Sequence, residues 1–356
     1  MPFGLCFVGL GSYAEKVLDN LGDSKYELDL YFASRDASKA KAFSDRYGGC
    51  GSFGSYEHAA SDDRIEGMYF VTPHHLHLVG ARLAASHGKH ILMEKPIART
   101  VDESHELIKS AKGAGVTLMI AENYHFAPTI VKAREMIAQG LIGNLRLVQV
   151  QRETYSEQSD WRNDLEFSGG GMFMDAGIHD MHALITLGGF PERIYAVNPP
   201  RVFASSPGED GIVVTANLPG GAVGLIQFSR ATPISGCREQ IWVTGTKGQL
   251  AFKPFGDKIV VEMPMVKRSV RVPTSNMGVP WIMREFIAAS RDGRKAAMCG
   301  EEGLDDLTCI LAAYESIRTG NSVDLPKQIG RSTPVNIPDR LQSPKKAIRH
   351  DPKALV

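Results

Sequence analysis

The fold of this chain is decided close to its start, by the stretch Phe7-Val8-Gly9-Leu10-Gly11-Ser12-Tyr13-Ala14. The stretch places the pattern Gly-x-Gly-x-x-Ala between an apolar run at residues 5–8 and a helical pattern at residues 15–21. In such a turn the first glycine permits a sharp bend, the second lets the backbone approach a pyrophosphate, and the small third residue lets the helix pack on the strand. The N-terminus of the helix also attracts an anion. We therefore predict that a dinucleotide binds to this turn, at Gly9, Leu10, Gly11, Ser12 and Tyr13.

Short apolar runs alternate with amphipathic segments through the first third of the chain. The apolar runs lie at residues 5–8, Leu28–Ala33, 67–71, His90–Met93 and 116–120. The segments between them, such as 37–47, 76–87 and 101–114, have the length and periodicity of crossover helices. This alternation predicts βαβ units, and the right-handed crossover rule then predicts an α/β fold with a doubly wound parallel sheet, a dinucleotide-binding Rossmann domain over residues 1–122.

The pattern changes after residue 123. A helical pattern at 129–138 precedes an alternating strand at 145–150, and two hairpin-like units follow at 211–229 and 240–253. Helical patterns return at 281–290 and 301–318. We therefore predict a second α/β domain over residues 123–325, for substrate binding and oligomerisation, with a large, mostly antiparallel, open sheet. Residues 326–356 are rich in Pro, Lys and Arg, which predicts an extended tail.

The composition excludes several classes of protein. The 356 residues carry 40 Lys and Arg against 40 Asp and Glu, so the chain has no net positive field for a nucleic acid. No apolar run approaches the roughly 20 residues that span a bilayer, which predicts no membrane partner, and the start of the chain lacks the features of a signal peptide. Five scattered cysteines form no Cys-x-x-Cys pair, which predicts reduced thiols in a cytoplasmic protein.

The end of the second apolar run bears on the choice of cofactor. An NAD enzyme usually has Asp or Glu here for the ribose 2′-hydroxyl, but this chain has Ser34 and Arg35. A guanidinium can form a charge-assisted fork with a 2′-phosphate, so we predict a preference for NADP, with NAD as the alternative. The neighbouring Asp36 is the residue that would reverse this preference. A solvated surface arginine is the other interpretation of Arg35.

Further motifs join the N-terminal turn. They are Thr72-Pro73-His74-His75-Leu76-His77, Met93-Glu94-Lys95-Pro96 and Ala121-Glu122-Asn123-Tyr124. Farther along come Trp161-Arg162 and the segment 169–179, which reads Gly-Gly-Gly-Met-Phe-Met-Asp-Ala-Gly-Ile-His. Taken together, these motifs resemble those of the Gfo/Idh/MocA oxidoreductases over most of the chain.

The resemblance implies roles for several of these residues. Lys95 is expected to contact both the nicotinamide ribose and the reacting hydroxyl, and its bond to Pro96 is expected to be cis. Thr72 and Pro73 are expected against the nicotinamide half of the cofactor. The remaining cofactor contacts that we expect are His74, His77, Glu94, Asn123, Trp161 and Arg162.

Asp175, His179 and His182 are spaced so that a helix would place them on one face. Oxidation of a secondary alcohol requires a base that removes the hydroxyl proton, and an imidazole that titrates near neutrality suits this task. We therefore assign proton transfer to His179. The resemblance implies that Asp175 binds substrate hydroxyls and orients His179, while the charge of Lys95 stabilises the developing alkoxide. Whether the lysine or the histidine takes the proton first stays open.

Side chains outside this helix complete the predicted substrate site. Trp161 and Arg162 follow a polar stretch, from which the indole can wall the site and the guanidinium can reach substrate or cofactor oxygens. Tyr124 and His125 follow Asn123, and we expect His125 to influence substrate choice. The predicted substrate contacts are thus Lys95, Tyr124, Trp161, Arg162, Asp175 and His179.

These residues also allow structural and metal-binding interpretations. Asp175, His179 and His182 fit a capped helix with hydrogen-bonded histidines, and the role of His182 stays open. They also fit part of a zinc site, but no second cluster offers further ligands, so we expect no metal. For His74 and His77, contact with the cofactor or capping of a helix is a simpler role than metal binding.

The resemblance implies an NAD(P)-dependent oxidoreductase that transfers hydride between nicotinamide and a secondary alcohol or ketone of a sugar, cyclitol or related polyol, and Ser34 and Arg35 favour NADP as its cofactor. It also implies a homodimer or homotetramer formed through the open face of the second sheet. Two other functions stay open: oxidation of an aromatic dihydrodiol, and dinucleotide sensing without catalysis. Lys95, Asp175 and His179 argue against the sensing role.

Overall fold

The chain forms two units, each built around its own sheet. The computed structural model describes residues 1–157, 160–274 and 276–326. Unit 1 consists of Met1–Glu122 and Val279–Leu304, and unit 2 consists of Asn123–Gly278 and the described residues from Asp305 onward. Beyond Pro326, the tail predicted for residues 326–356 lies outside the described residues.

Unit 1 contains a six-stranded parallel sheet, because its apolar runs are too short for anything but strands and the helices between them reverse the direction of the chain. All six side chains of the first strand are buried, as expected for a strand that is covered on both faces. The strands are β1 (Phe3–Val8), β2 (Leu28–Ala33), β3 (Gly51–Phe53), β4 (Gly67–Phe70), β5 (His90–Met93) and β6 (Leu118–Ile120). Their order is β3-β2-β1-β4-β5-β6, so the predicted doubly wound Rossmann sheet is confirmed.

Helices cross over between these strands at the predicted places. Those of the first segment are α1 (Ser12–Asp19), α2 (Ala37–Tyr47), α3 (Tyr56–Ala60), α4 (His77–Ser86) and α5 (Val101–Gly113). The second segment of unit 1 contributes α9 (Val279–Asp292) and the start of α10 (Gly300–Thr319), which continues into unit 2.

Unit 2 contains a nine-stranded sheet, and both predicted hairpins form in it. The strands are β7 (Leu145–Thr154), β8 (Arg193–Val197), β9 (Gly211–Asn217), β10 (Val223–Ser229), β11 (Cys237–Gly245), β12 (Gln249–Phe252), β13 (Lys258–Met263), β14 (Val266–Arg271) and β15 (Val323–Asp324). Their order is β14-β13-β12-β11-β7-β10-β9-β8-β15, in which only the described pair β7 and β10 is parallel. The predicted large, mostly antiparallel sheet is thus confirmed. The remaining helices are α6 (Pro128–Ala138), α7 (Leu165–Ser168) and α8 (Ile178–Gly188).

The central strand of this sheet is longer than expected. The alternating pattern predicted a strand at residues 145–150, but β7 continues to Thr154. The reason is that β10 and β11 pair with β7 along its length, so the backbone groups of its polar second half are satisfied by neighbours on both sides. This extension places Arg152 inside the sheet, on the same side as the buried Val148 and Val150.

The two faces of the second sheet differ in character. Helix α8 packs against β7 and β10 and covers one face. From Ile212 to Asn217 on β9 the side chains alternate between buried and exposed, so the other face is open as far as the described residues are concerned. Its exposed residues include Tyr195, Val197, Val213 and Val223.

The structure also bears on the cysteines and on the length of the apolar helices. All five cysteines are free thiols, and three of them are buried. Within residues 1–157, 160–274 and 276–326, no helix is both long enough and apolar enough to cross a membrane.

Candidate functional site

The glycine turn between β1 and α1 has the properties of a phosphate-binding turn. Gly9 has φ 91°, and a Cβ atom there would lie 2.6 Å from the carbonyl oxygen of Val71, so only glycine fits. Gly11 has an ordinary φ of −90°, and a Cβ atom there would meet no described atom within 4 Å. Packing within the chain therefore does not require glycine at position 11. A ligand that approaches the backbone at the N-terminus of α1 does explain it.

The residues after β2 have separate roles. The Asp36 carboxylate caps α2, because its Oδ1 accepts hydrogen bonds from the backbone N–H groups of Ser38 (2.9 Å) and Lys39 (3.2 Å). The Ser34 hydroxyl oxygen accepts a hydrogen bond from the Asp36 N–H at 3.1 Å. Arg35 is exposed and hydrogen-bonded to the Tyr56 hydroxyl. The carboxylate that would favour NAD is thus engaged in the helix cap.

The loop after β4 is fixed by a buried histidine. The His77 ring has Nε2 3.1 Å from the carbonyl oxygen of Thr72 and Nδ1 2.9 Å from that of Pro96, and none of the side chain is exposed. Burial, followed by the nearby His74, lowers the pKa of His77 to about 3, so the ring is neutral at physiological pH. This geometry gives His77 a positioning role between two loops. The Thr72 Oγ1 atom is buried and has no hydrogen-bond partner among the described residues, which leaves it for a ligand.

The end of β5 carries Glu94, Lys95 and Pro96. The Lys95–Pro96 peptide bond is cis, as the resemblance implied. Lys95 is half-buried, whereas Glu94 is buried and accepts a hydrogen bond from the Tyr69 hydroxyl. Burial raises the pKa of Glu94 to about 7, against the opposing effects of Lys95 and Tyr69. The carboxyl group beside Lys95 therefore titrates near neutrality.

In unit 2, the residues before α8 depart from the expected helix. Asp175 lies in a wide, single π turn (Phe173–Gly177), and the regular helix begins only at Ile178. The Phe173 ring packs so closely over Gly177 that a Cβ atom there would lie 1.9 Å from it. The Arg152 side chain donates a hydrogen bond to the carbonyl oxygen of Ala176. These contacts stabilise the wide turn, a feature that is frequent at functional sites.

The structure brings Trp161, Arg162 and Asp175 together. Arg162 Nε donates a 2.9 Å hydrogen bond to Asp175 Oδ2, and its Nη1 donates to Asp160 at 2.6 Å. The guanidinium lies 4.5 Å from the centre of the Trp161 ring, a cation–π contact. Asp175 itself is buried, so the pair with Arg162 holds its carboxylate in one orientation.

His179 and Tyr124 also meet. Their rings stack with centroids 5.0 Å apart and an angle of 20° between the planes. The Tyr124 hydroxyl donates a hydrogen bond to Glu239, and burial raises the pKa of Tyr124, so the phenol stays protonated. His179 is half-buried, and the flat face of the tyrosine therefore fixes the plane of the imidazole.

His182 lies in a buried hydrogen-bonded chain. Its Nδ1 is 2.9 Å from Asp306 Oδ2, and its Nε2 is 3.2 Å from Nδ1 of His125 and 3.1 Å from the Thr186 hydroxyl. The role of His182, which the sequence left open, is thus to connect α10 with the 3₁₀ turn at Asn123–Phe126. In the described part of the chain, no three His, Cys, Asp or Glu side chains are placed to hold a metal ion.

Sequence reasoning missed several residues of this region. Arg152 pairs with the buried Asp180 at 2.9 Å and lies 5.9 Å from the Tyr124 ring, while Glu239 and Asp306 anchor Tyr124 and His182. The sequence did carry a signal for Arg152: it follows Val148 and Val150 in the alternation of a strand, which places an arginine on the buried side of the sheet. No local signal marks the other three.

A doubly wound parallel sheet with a glycine turn at its first strand, followed by a unit rich in polar and imidazole groups, defines a dinucleotide-binding oxidoreductase. Residues 3–122 match the family described as "Oxidoreductase family, NAD-binding Rossmann fold", and residues 130–251 match the "GFO/IDH/MocA C-terminal domain". This chain belongs to the Gfo/Idh/MocA family of NAD(P)-dependent oxidoreductases, which confirms the resemblance and the prediction of a dehydrogenase.

Similar proteins agree with this assignment. The chain is 30% identical over 336 residues to D-xylose 1-dehydrogenase (NADP(+)) 2 of Haloferax volcanii, covering 91% of this chain and 100% of that protein. It is 31% identical over 234 residues to trans-1,2-dihydrobenzene-1,2-diol dehydrogenase of Mus musculus, covering 65% and 68%. The aldose-aldose oxidoreductase of Caulobacter crescentus superimposes with a TM-score of 0.83 at 25% identity, covering 91% and 100%.

Proposed function

We propose that this chain is an NADP-preferring dehydrogenase or reductase that acts on a secondary alcohol or ketone of a sugar, cyclitol or related polyol. The observation that carries the cofactor preference is the arrangement after β2, where Arg35 is exposed and the Asp36 carboxylate is used as a helix cap. The name of the Haloferax volcanii relative, a sugar dehydrogenase that uses NADP⁺, supports both parts of the proposal.

The residues of unit 1 fit a dinucleotide. The open space beside Gly11 and the buried Thr72 Oγ1 atom are features that packing within the chain leaves unexplained. We assign the pyrophosphate to the turn from Gly9 to Tyr13, the 2′-phosphate to Ser34 and Arg35, and the nicotinamide half to Thr72, Pro73 and His74. When bound, NADP supplies a carbon that accepts or donates a hydride. The other proposed cofactor contacts are Glu94, Lys95, Asn123, Trp161 and Arg162.

Three residues carry the proposed chemistry. The His179 imidazole takes the proton of the substrate hydroxyl during oxidation and returns it during reduction. The Lys95 ammonium stabilises the negative charge that develops on the same oxygen. The Asp175 carboxylate, oriented by Arg162, accepts hydrogen bonds from substrate hydroxyls, and the half-buried indole of Trp161 offers a flat apolar face to a ring. The buried Tyr124 supports the His179 imidazole by stacking on it.

The proposal is tested by titration of the purified protein with NADPH and NADH, followed by turnover assays with sugars, an inosose and a dihydrodiol. We expect tighter binding of NADPH and turnover of a polyol. Tighter binding of NADH would contradict the cofactor preference, and binding without turnover of any substrate would favour the sensing role.

The assignment of His179 is tested with His179→Asn. Loss of a positioned base should reduce kcat by roughly 10² to 10⁴, with NADPH binding unchanged. His87→Asn is the matched control, because His87 is exposed and its hydrogen-bond partners among the described residues are the nearby Ser86 and Leu83. A loss of less than a few-fold in His179→Asn would make the assignment wrong.

Oxidation of an aromatic dihydrodiol is the second candidate. The dihydrodiol dehydrogenase of Mus musculus is as similar to this chain as the sugar dehydrogenase is, although over a shorter part of the chain. The half-buried indole of Trp161 suits an aromatic ring as well as the face of a sugar. A higher kcat/KM for the dihydrodiol than for every polyol would decide in favour of this candidate.

A further inference from the structure

Arg230 follows β10 of the second sheet directly. Along β10 the buried residues are Gly224, Ile226 and Phe228 on the covered face. Arg230, one residue after the end of the strand, lies close enough to Asp175 and Arg162 for their charges to interact with its guanidinium. The Phe228 ring is 5.8 Å from that of Phe173, which begins the π turn that carries Asp175. Arg230 is therefore a neighbour of the residues that we assign to substrate binding in unit 2.

The Arg230 guanidinium is incompletely satisfied. Nη2 donates a 3.0 Å hydrogen bond to the Ser156 hydroxyl. Nε is buried, and among the described residues it has no hydrogen-bond partner. Within the same part of the chain, no carboxylate forms an ion pair with this side chain, although it is half-buried. A half-buried cation without an anion is costly, because burial removes the water that would stabilise its charge.

The carboxylates nearby are already engaged by other arginines. Asp175 pairs with Arg162 at 2.9 Å, and Asp180 pairs with Arg152 at 2.9 Å. Burial and the two neighbouring guanidinium groups lower the pKa of Arg230, while Asp175 acts in the opposite direction. Asp160, Asp175 and Asp180 thus pair with Arg162 and Arg152 rather than with Arg230, and a bound anion would give Arg230 a partner of its own.

We propose that Arg230 binds a carboxylate group of the substrate, so that the preferred substrates are sugar acids, in which a polyhydroxylated ring carries a carboxylate. This inference rests on the proposed function and names its substrate class. A planar guanidinium with unused N–H groups matches a planar carboxylate. A phosphate dianion fits less well, because the Asp175 carboxylate nearby would repel its second charge.

The redox step is unchanged by this group. The hydride leaves the carbinol carbon for NADP⁺, the hydroxyl proton passes to His179, and the substrate carboxylate keeps its charge throughout. Arg230 thus contributes to substrate binding rather than to proton or hydride transfer. Its removal is expected to raise KM more than it lowers kcat.

The test uses pairs of sugars that differ only at one carbon: D-galactose with D-galacturonate, and D-glucose with D-glucuronate. We expect the wild-type protein to oxidise at least one acid with a kcat/KM at least 10-fold above that of its neutral partner. In Arg230→Gln the kcat/KM for the acid should fall roughly 10- to 100-fold, as for the loss of a hydrogen bond to a charged group, and that for the neutral sugar should change less than 3-fold.

Two further variants separate recognition from folding. Arg230→Lys keeps the charge without the fork and should retain part of the preference for the acid. Arg238→Gln makes the same charge change at an exposed guanidinium on β11, which pairs with Glu153 at 2.6 Å, and should keep the preference unchanged. A preference of the wild-type protein for neutral sugars, or an equal loss for both members of a pair in Arg230→Gln, would overturn the inference.

A binding measurement keeps this inference distinct from the proposed function. In the presence of NADP⁺, D-galacturonate should raise the Tm of the wild-type protein but not that of Arg230→Gln, and D-galactose should have a smaller effect on both. If this shift occurs without turnover of any polyol, the proposed function fails while the carboxylate site stands. If neither uronate raises the Tm, or if D-galactose 6-phosphate is preferred to D-galacturonate, the inference is wrong.

Discussion

Arg35 and Asp36 are neighbours in the chain, but helix capping separates their roles. The carboxylate of Asp36 accepts two backbone hydrogen bonds at the start of α2, at 2.9 and 3.2 Å. A binding role for this carboxylate would cost the cap, which contributes about 1 kcal/mol. The exposed arginine does not cap the helix, and we propose that its charge selects the cofactor.

We expect Arg35→Ala to weaken NADPH binding roughly 10- to 100-fold, because a charged hydrogen-bond pair contributes about 1.5 to 3 kcal/mol. The Kd for NADH, which has no 2′-phosphate, should stay within about 2-fold. Fluorescence titration measures both constants. Arg46→Ala is the matched control, since Arg46 is an exposed arginine of α2, the helix that follows Arg35, and pairs with Glu15 at 2.6 Å. An equal loss for both cofactors would contradict the assignment.

Glu94 links pH to stability. In the unfolded chain its pKa is close to the ordinary value of 4.5, whereas burial raises the pKa to about 7 in the fold. The folded state therefore binds the proton more tightly. The stability that this group contributes is complete below about pH 4.5 and is lost as the pH rises to about 7.

We expect Glu94→Gln to remove the loss of stability that accompanies the rise in pH, because an amide does not ionise. Its oxygen still accepts the hydrogen bond from Tyr69. Between pH 5 and 8 the wild-type protein should lose about 2 kcal/mol more free energy of unfolding than the variant does. Urea unfolding at the two pH values provides the measurement, with the exposed Glu135→Gln as control. Parallel pH dependence of wild type and Glu94→Gln would disprove this role of Glu94.

Among the secondary-structure elements, α8 and the 3₁₀ turn at Asn123–Phe126 are joined by two pairs of rings. His179 stacks on Tyr124 at 5.0 Å, and one helical turn later His182 contacts His125, with ring centroids 5.2 Å apart. The second pair is anchored to α10, because the Asp306 Oδ2 atom lies 2.9 Å from Nδ1 of His182, within hydrogen-bond distance. The proposed base is thus positioned through contacts among three elements.

We expect Asp306→Ala to destabilise unit 2 by about 1 to 3 kcal/mol, because the Nδ1–H group of His182 would be left buried without an acceptor. Asp306→Asn should recover most of this loss, since the amide oxygen can still accept the hydrogen bond. Urea unfolding measures the stability, and kcat/KM should follow the same order of variants. Equal stability of Asp306→Ala and the wild-type protein would show that the chain of hydrogen bonds contributes nothing.

At the level of assembly, the open face of the second sheet is the surface that we propose for homodimer or homotetramer formation. It exposes Val197 and Val213 opposite each other on β8 and β9, with Tyr195 and Val223 on the same sheet. Such apolar side chains, on a sheet face that no helix of the described residues covers, favour burial against a second copy.

We expect size-exclusion chromatography with light scattering to show a dimer or tetramer for the wild-type protein. Val213→Arg should shift the equilibrium toward monomer, because a buried, unpaired charge is costly at an interface. Val202→Arg places the same charge at an exposed valine outside the sheet and should leave the assembly intact. A monomeric wild-type protein would contradict the proposal.

Local patterns were sufficient to predict both sheets and the cofactor turn. Short apolar runs that alternate with amphipathic segments indicate buried parallel strands, and the φ that a glycine turn requires depends on a few consecutive residues. The motifs at Thr72 and Lys95 were recognised through their resemblance to those of the family, and each follows the end of a parallel strand.

The partners of the polar side chains in unit 2 could not be predicted from the sequence. His182 and Asp306 are separated by 124 positions, and Tyr124 and Glu239 by 115, so their contacts depend on how helices pack and how strands align. The same is true of Arg230, whose unsatisfied guanidinium is visible only when the sheet places it beside residues already paired with each other. Backbone conformation follows from short-range sterics and hydrophobic periodicity, whereas the pairing of buried charges is a long-range property that exists only in the folded chain.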